Sequence, residues 1–258
     1  MRAHGVPTQV PGASSARKLL NALLCFTPDK PVWTVPELAD RLDASISTMY
    51  RYVALLREVG LLDPTGDNAY RVTDRALLLA QAAEMAGARL ERVSLPVMTA
   101  IRDAVDETVL ISRRTRTHAY CVERVESLQP VRLQFDRGQP MSLHRGAMAR
   151  ILLAGMPLGE RAAYLATEVP NEEDLRSAGL SDEALTQVAV DGWTQSFEEI
   201  DEGIWGTAAA ITLDGQVQAA LGVAAPLYRL DTAKRDQIIS AVRLGAQQIS
   251  AALEPGTQ

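Results

Sequence analysis

The segment Thr34-Val35-Pro36-Glu37-Leu38-Ala39-Asp40-Arg41-Leu42-Asp43-Ala44-Ser45-Ile46-Ser47-Thr48-Met49-Tyr50-Arg51-Tyr52-Val53-Ala54-Leu55-Leu56 decides how the first part of this 258-residue chain is built. Thr34 followed three residues later by Glu37 is a capping box, and Pro36 falls at an early helical position, where its missing N–H costs nothing. The short helix opened there places Val35, Leu38, Ala39 and Leu42 on one side. Asp43-Ala44-Ser45 is a tight connection, and the next helix buries Ile46, Met49, Val53 and Leu56 before Gly60 closes it. Ala39 is small where the two helices must cross closely.

Upstream, Ala16, Leu19, Leu20, Leu23 and Leu24 form one apolar stripe of a first helix, which Pro28 and Pro31 end. Downstream, Leu61-Leu62-Asp63 and Ala69-Tyr70-Arg71-Val72 read as two short strands around a Pro64/Gly66/Asn68 turn. Helix, helix, tight turn, helix and β-hairpin make a winged helix-turn-helix over residues 14–73, preceded by a mobile tail over 1–13. Packing Met49 and Val53 inward leaves Ser47, Tyr50, Arg51 and Ala54 on the open side of the third helix. Hydroxyls, a phenol and a guanidinium at the N-terminal half of a helix are the groups that read base edges in a major groove. Ser45 and Thr48 flank them, Arg71 stands on the wing, and Lys18 is placed to meet phosphates. The same pattern also fits a helical bundle with ordinary solvated residues on that side.

A long helix follows from Thr73 to about Glu91, with Leu77, Leu78, Leu79, Ala82, Met85, Ala86 and Leu90. That face is too wide for one neighbour, so residues 74–93 read as a linker that also packs against a second chain. Ser94 and Pro96 open a further helix carrying Val97, Met98, Ile101 and Val105. From there to residue 258 strands are expected at 108–113, 119–125 and 131–135, helices at 143–154, 159–166 and 182–190, strands at 192–197, 207–213 and 216–225, and a closing helix at 232–253. Asp214-Gly215 is a two-residue hairpin signal. Strands, inserted helices, strands again and flanking helices give an α+β unit with a mostly antiparallel sheet over 94–258.

Composition narrows the function. Apolar residues are 47% and charged residues 22%, the balance of a folded globular chain rather than a disordered or fibrous one. Residues 1–75 carry nine Lys/Arg against eight Asp/Glu, while the remaining 183 carry 17 against 24. A near-neutral head on an acidic body suggests two units with different partners. A net charge of −6 argues against coating nucleic acid or membranes by positive charge alone. With no secretion signal and no bilayer-spanning run, a soluble cytoplasmic protein without membrane attachment is expected. Cys25 and Cys121 are too few and too far apart for a disulfide framework or a metal knuckle.

Three histidines and the absence of HExxH, GxSxG, GxGxxG and GxxxxGK[ST] strings put catalysis in the background: no catalytic residue, metal or cofactor is expected. Two other readings stay open. An enzyme with an appended helix-turn-helix would use His144 with Glu198 or Glu199 as its acid–base pair. A redox-responsive regulator would use Cys121. In the final strand, Gln218, Ala220, Gly222 and Ala224 share a small-residue face, where either a covering helix or a small-molecule ligand comes close. Trp205 is either a core anchor or one wall of a pocket. Gln139 to Met148 opens a helix whose free N–H groups could receive a carboxylate, and His144 there is a hydrogen-bonded structural histidine or a ligand contact.

From about Ala16 to the last helix the chain resembles the IclR family of bacterial transcriptional regulators. Three stretches carry the resemblance. Ser47-Thr48-Met49-Tyr50-Arg51-Tyr52 stands where that family's recognition helix begins. Pro140-Met141-Ser142-Leu143-His144-Arg145-Gly146 is followed by Ala149-Arg150-Ile151-Leu152-Leu153-Ala154. Gly192-Trp193, Glu198-Glu199, Gly203-Ile204, Ala208-Ala209-Ala210-Ile211 and Leu221-Gly222-Val223-Ala224-Ala225-Pro226 come in the family's order. The resemblance implies a head that binds a palindromic double-stranded DNA operator, a GAF-like domain that binds a small-molecule effector, and assembly as a homodimer or homotetramer. It places the effector near Ala147, Met148, Ser196, Gly206, Gly222 and Ala224, beside Trp205. Members that bind small hydrophilic acids carry an acidic group near Ser196 and hydroxyls near Gly222 and Ala224. The substitutions here imply a less polar pocket and a larger or more apolar ligand, such as an aromatic acid. The family's basic residue in the helix after the turn is kept as Arg150.

Overall fold

The computed structural model describes residues 12–130, 133, 135–138 and 140–254. They divide into two compact units, with the division between Gly87 and Ala88.

The N-terminal unit holds α1 (Ser14–Leu24), β1 (Val32–Thr34), α2 (Val35–Arg41), α3 (Ile46–Glu58), β2 (Leu62–Pro64) and β3 (Ala69–Val72). The capping box is present: the Glu37 N–H donates to Thr34 Oγ1 at 3.4 Å and the Thr34 N–H to Glu37 Oε2 at 2.8 Å. Leu38, Met49, Val53, Leu56 and Leu62 form the core with Ala22 and Val35. Ala39 is buried, and its carbonyl accepts the Ala44 N–H at 2.9 Å across a turn in which Asp43 takes a φ of 46°. Three expectations are corrected here. Ile46 is 53% exposed, because as the first residue after the Ser45 cap it precedes the turn that faces the core. Tyr52, in contrast, is buried. The wing has a third strand: Val32 to Thr34 pair antiparallel with β3, Trp33 facing Tyr70. Leu20 and Leu24 of the α1 stripe face solvent, 57% and 74% exposed.

Helix α4 runs unbroken from Ala76 to Val105 with Pro96 inside it. The helix start expected at Ser94 is not a boundary: the Ser94 hydroxyl turns back to the Glu91 carbonyl at 3.2 Å and is fully buried, while the Pro96 ring is on the open side. The C-terminal unit then places β4 (Thr108–Thr115), β5 (His118–Val125), β6 (Pro140–Ser142), α5 (Ala147–Ala154), α6 (Leu158–Glu168), α7 (Glu172–Ser177), α8 (Asp182–Asp191), β7 (Trp193–Phe197), β8 (Ile204–Leu213), β9 (Gln216–Pro226) and α9 (Thr232–Leu253). Six strands form one antiparallel sheet in the order β6-β5-β4-β9-β8-β7. Of the strand expected at 131–135, residues 131, 132 and 134 lie outside the described ones, and Leu133 and Phe135 are not in a strand.

Strand alternation sorts the sheet into two faces. Val109, Ile111, Trp205, Ala209, Ile211, Leu221 and Val223 pack on α9 and the C-terminal half of α4. Ala119, Ala208 and Ala220 pack under α5, α6 and α8. A bulge in β5, where Ile111 faces Glu123 but Ser112 faces Cys121, turns Val122 to the first face and Cys121 to the second. The second face, under α5, α6 and α8, is rich in small residues, and that is where space remains.

Candidate DNA-reading face and effector pocket

In the N-terminal unit, α3 turns Met49, Tyr52, Val53 and Leu56 inward and leaves Ser47, Tyr50, Arg51 and Ala54 exposed. Ser45 caps the helix, accepting the Thr48 N–H at 3.2 Å and donating to Thr48 Oγ1 at 2.8 Å, with Ser47 Oγ at 3.2 Å. Three expected reading residues thus share one hydroxyl cluster, and Ser45 and Thr48 are partly committed to the helix start. Arg51 and Arg71 are exposed and, among the described residues, make no ion pair. Lys18 is half-buried and donates to the Asp43 carbonyl at 2.8 Å, which ties α1 to the turn between α2 and α3 and leaves two ammonium hydrogens for other acceptors. Glu37 accepts from Lys30 Nζ at 2.8 Å, and that hydrogen bond, with those of the Thr34 N–H and hydroxyl, lowers its carboxyl to about 2.

In the C-terminal unit a cavity lies between the sheet and the turn that leads into α5. Its volume is about 50 Å³, and its walls include Leu133, Phe135, Met141, Met148, Ile200 and Ile204, with Arg145, Ser196, Glu199 and Asp201 as polar members. The turn is fixed by its neighbours. Gly146 has φ 88° and ψ 157°, a region open in practice only to glycine. Its N–H donates to Glu199 Oε2 at 2.9 Å and the Ala147 N–H to Ser196 Oγ at 3.1 Å, so two of the orphan donors of α5 are already met. Arg145 clasps the carbonyls of Glu199 at 2.6 Å and Ile200 at 3.4 Å. Arg150, only 10% exposed at its side chain, pairs with Glu199 Oε1 at 2.6 Å and donates to the carbonyls of Gln195 and Ala178. Its Nε is buried without a partner among the described residues.

Of the seven residues expected to line an effector site, Ala147, Met148, Ser196, Trp205, Gly206 and Ala224 border this cavity. Gly222 does not, because Met148 lies across it: a Cβ there would stand 2.7 Å from Met148 Cγ. Trp205 is fully buried among the α4/α9-face residues, and its indole N–H donates to Gln195 Oε1 at 3.1 Å, which makes it a core anchor that touches the cavity rather than an aromatic wall. Sequence reasoning missed Leu133, Phe135, Met141 and Ile204. It also had Arg145 and Glu199 without their partnership across the turn. The signal available for that was an acidic pair ahead of Gly203 with a basic residue on the first turn of α5.

The other two readings meet the same geometry. His144 Nδ1 is 2.9 Å from the Tyr164 hydroxyl, which also accepts the Leu143 N–H; burial lowers the imidazole's pKa and raises the phenol's. Glu198 accepts the Gly203 N–H and Glu199 is held by Arg150 and Gly146, so neither acid is paired with His144. Cys121 is 2% exposed, and burial pushes its thiol up to about 11, the opposite of a reactive thiolate. Among the described residues no cluster of His, Cys, Asp and Glu is placed to hold a metal ion, and no helix is long and apolar enough to cross a membrane.

Comparison with known proteins agrees with both units. The family model of the IclR helix-turn-helix domain matches residues 15–66, and that of the bacterial transcriptional regulator IclR C-terminal region matches 82–251. The HTH-type transcriptional regulator KipR of Bacillus subtilis is 28% identical over 240 residues, covering 89% of this chain and 93% of KipR. KdgR of Dickeya chrysanthemi is 22% identical, over 94% of this chain and 80% of its own. Among solved structures, an IclR-family regulator from Brucella abortus superposes with a TM-score of 0.77 at 22% identity, covering 93% and 92% of the two chains. An IclR homolog from Microbacterium hydrocarbonoxydans, complexed with 4-hydroxybenzoate, gives 0.75 at 22% identity over 93% and 99%. A winged helix-turn-helix head, a sheet-and-helix effector-binding unit and family models that together cover most of the sequence leave one conclusion: the chain is a transcriptional regulator, not an enzyme, and belongs to the IclR family.

Proposed function

We propose that this regulator binds a palindromic double-stranded DNA operator through α3, as a homodimer or homotetramer in the cytoplasm, and that a small organic acid of aromatic or weakly polar character controls that binding. Residues 14–73 are the reading head, 74–93 the linker and dimerisation element, and 94–258 the GAF-like sensor. For the head, the support is the open hydroxyl-and-guanidinium side of α3: Ser47, Thr48, Tyr50 and Arg51, with Ser45 at its cap, Arg71 on the wing and Lys18 beside the turn. For self-association, it is five exposed leucines in the N-terminal unit: Leu20 and Leu24 on α1 and Leu77, Leu78 and Leu79 on α4. Exposed apolar clusters of that kind are covered by a partner in soluble proteins.

The observation that carries the ligand class is the make-up of the cavity. Its walls are aliphatic, aromatic and thioether groups, and of its polar members Arg145, Ser196 and Glu199 meet at the Gly146–Ala147 turn. An apolar body with one polar end suits an aromatic carboxylic acid better than a two- or three-carbon oxoacid, whose every atom needs a hydrogen-bonding partner. The Microbacterium homolog complexed with 4-hydroxybenzoate is consistent with that choice. The test is calorimetric titration of the full chain with benzoate-type acids and with glyoxylate and pyruvate, each binder then added to an operator retention assay. The expected result is binding of aromatic acids with a change in operator affinity. Tight binding of glyoxylate or pyruvate with none of any aromatic acid would overturn the ligand class; indifference to all double-stranded fragments would overturn the whole reading. A ligand that binds only the native state raises stability by about 2.7 kcal/mol at 100 times its Kd, so a thermal-shift screen sees it as well.

A further inference from the structure

The cavity as it stands holds a few waters: its 50 Å³ is well below the roughly 150 Å³ void that takes up benzene. An aromatic acid therefore requires a wall to move, and one wall is softer than the others. Met148 is an unbranched side chain with three rotatable bonds, half-buried, lying across the sheet with its Cγ and Sδ at 2.7 and 2.9 Å from the place of a Gly222 Cβ. Beneath it the floor is made of Gly222, Leu110, Cys121 and Ala224. At its far side stands Ser112, whose side chain is fully buried. Among the described residues the one hydrogen bond of the Ser112 hydroxyl goes to Met148 Sδ at 3.5 Å, a weak acceptor for a group removed from water. The β5 bulge lies directly opposite Ser112, the kind of irregularity that aims a side chain beside a binding site.

We infer that Met148 is a displaceable plug over a second compartment of the effector site, and that the Ser112 hydroxyl receives a polar group at the distal end of an elongated aromatic acid. This rests on the acid-sensor reading above. The strand register sets the length. Gly206 and Ala224 face each other at the level of the polar turn, Ala208, Gly222 and Leu110 lie one side-chain step along, and Ala220 and Ser112 lie two. Two steps of two residues are about 13 Å at roughly 3.3 Å per residue, shortened by the reach of the side chains at both ends. A benzoate anchored at the turn spans one step; an arylpropenoate with a para-hydroxyl spans both. When Met148 swings aside, Ser112 loses its thioether and a phenolic hydroxyl replaces it with a stronger partner. The ligand class is thus a 4-hydroxyarylpropenoate or its saturated equivalent, with a hydrogen-bonding group at each end.

The experiment is calorimetric titration of the full-length wild type, Met148→Ala and Ser112→Ala with benzoate, 4-hydroxybenzoate, cinnamate and 4-hydroxycinnamate, with a melting curve of each protein. In the wild type 4-hydroxycinnamate is expected to bind about two- to tenfold more tightly than cinnamate, the scale of one buried hydrogen bond. Ser112→Ala, close to isosteric, erases that preference and leaves cinnamate within about twofold. Met148→Ala, with the plug removed, tightens the benzoates and, by a clearly larger factor, both cinnamates, which alone reach the Ser112 level. A hydroxyl preference that survives Ser112→Ala overturns the assignment, as does equal response of benzoates and cinnamates to Met148→Ala. Benzoates binding while cinnamates are excluded removes the second compartment and spares the acid sensor. If the wild type binds none of the four acids, the acid sensor falls and this compartment with it.

Discussion

Replacing Gly146 with alanine isolates the backbone device on which the proposed effector pocket depends. At φ 88° and ψ 157° a residue with a Cβ sits in a region that costs of order 1–3 kcal/mol. The added Cβ would also stand 2.7 Å from Ile200 Cδ1, but that atom is the end of a side chain 47% exposed, so it can turn away and the backbone dominates the cost. The alanine also has fewer unfolded conformations, which returns about 0.4–1 kcal/mol. The net loss expected is about 1–2 kcal/mol. At roughly 2–4 °C per kcal/mol for a unit of this size, the transition of the C-terminal unit falls by about 2–8 °C.

The matched control is Gly159→Ala in α6, where the backbone is ordinary, nothing lies within 4 Å of the new Cβ, and helix propensity favours alanine by up to about 1 kcal/mol. The two substitutions, identical in chemistry, are therefore expected to shift the melting temperature in opposite directions. The strained turn also re-aims the N–H groups of Gly146 and Ala147 away from Glu199 and Ser196, so effector binding weakens in Gly146→Ala and is intact in Gly159→Ala. Equal melting temperatures for the two variants would refute the strain argument, and full effector affinity in Gly146→Ala would refute the claim that this turn shapes the site.

Arg51→Ala is expected to weaken operator binding by about 1–3 kcal/mol in a retention assay and to relax preference at a single base pair; a uniform loss across sequences would make Arg51 a phosphate contact instead. Glu37→Gln removes a carboxylate held at about 2, so the wild type's advantage in urea unfolding of the N-terminal unit is full at neutral pH. It shrinks as pH falls below the ordinary carboxylate range and vanishes near 2, whereas a pH-independent gap would exclude the Lys30 and Thr34 bonds as its source. Disulfide-exchange labelling of native protein is expected to modify Cys25 at most, with Cys121 titrating only after unfolding; rapid native labelling of Cys121 would reopen the redox reading.

Much of the architecture could be read from local chemistry, and the residues say why. Thr34 and Glu37 satisfy each other's backbone without help from the rest of the fold, so the start of α2 is encoded within four residues. The closing helix falls on Thr232–Leu253 as expected, since Asp231 caps it, its side chain accepting the Lys234 N–H at 2.7 Å. The misses are elements whose stability comes from elsewhere. Strands β1 and β6 are three residues each and hold only through partners about forty and twenty residues away in sequence, Ala69–Arg71 and His118–Tyr120. Pro96 and Ser94 carry the signals of a helix start, yet Leu90, Met98, Ile101 and Val105 all pack into one core, and that continuous burial outweighs a lost backbone bond.

The site was legible in a different way. Along β9 the alternation of Gly222 and Ala224 marked a close approach, and the choice between a covering helix and a ligand stayed open because both explain small side chains equally well. In the folded unit neighbouring positions of that face differ: α5 covers Gly222 through Met148, and the cavity begins at Ala224. The boundary between helix packing and binding site is thus a single flexible side chain, and no spacing rule on one strand can locate it. It depends on three strands and a turn agreeing in register: Leu110 opposite Gly222, Ala208 opposite Gly222, and Gly146 holding the left-handed conformation that starts α5 where it does. For the same reason the family's general recipe does not by itself set the ligand. Glycine and alanine in the final strand remove hydrogen-bonding groups from one end of the site, and the buried hydroxyl of Ser112, two side-chain steps from the polar turn, restores one at the other. What the proposed effector site would select is therefore a distance between two polar ends as much as a polarity, and length is the variable that ligand series should scan first.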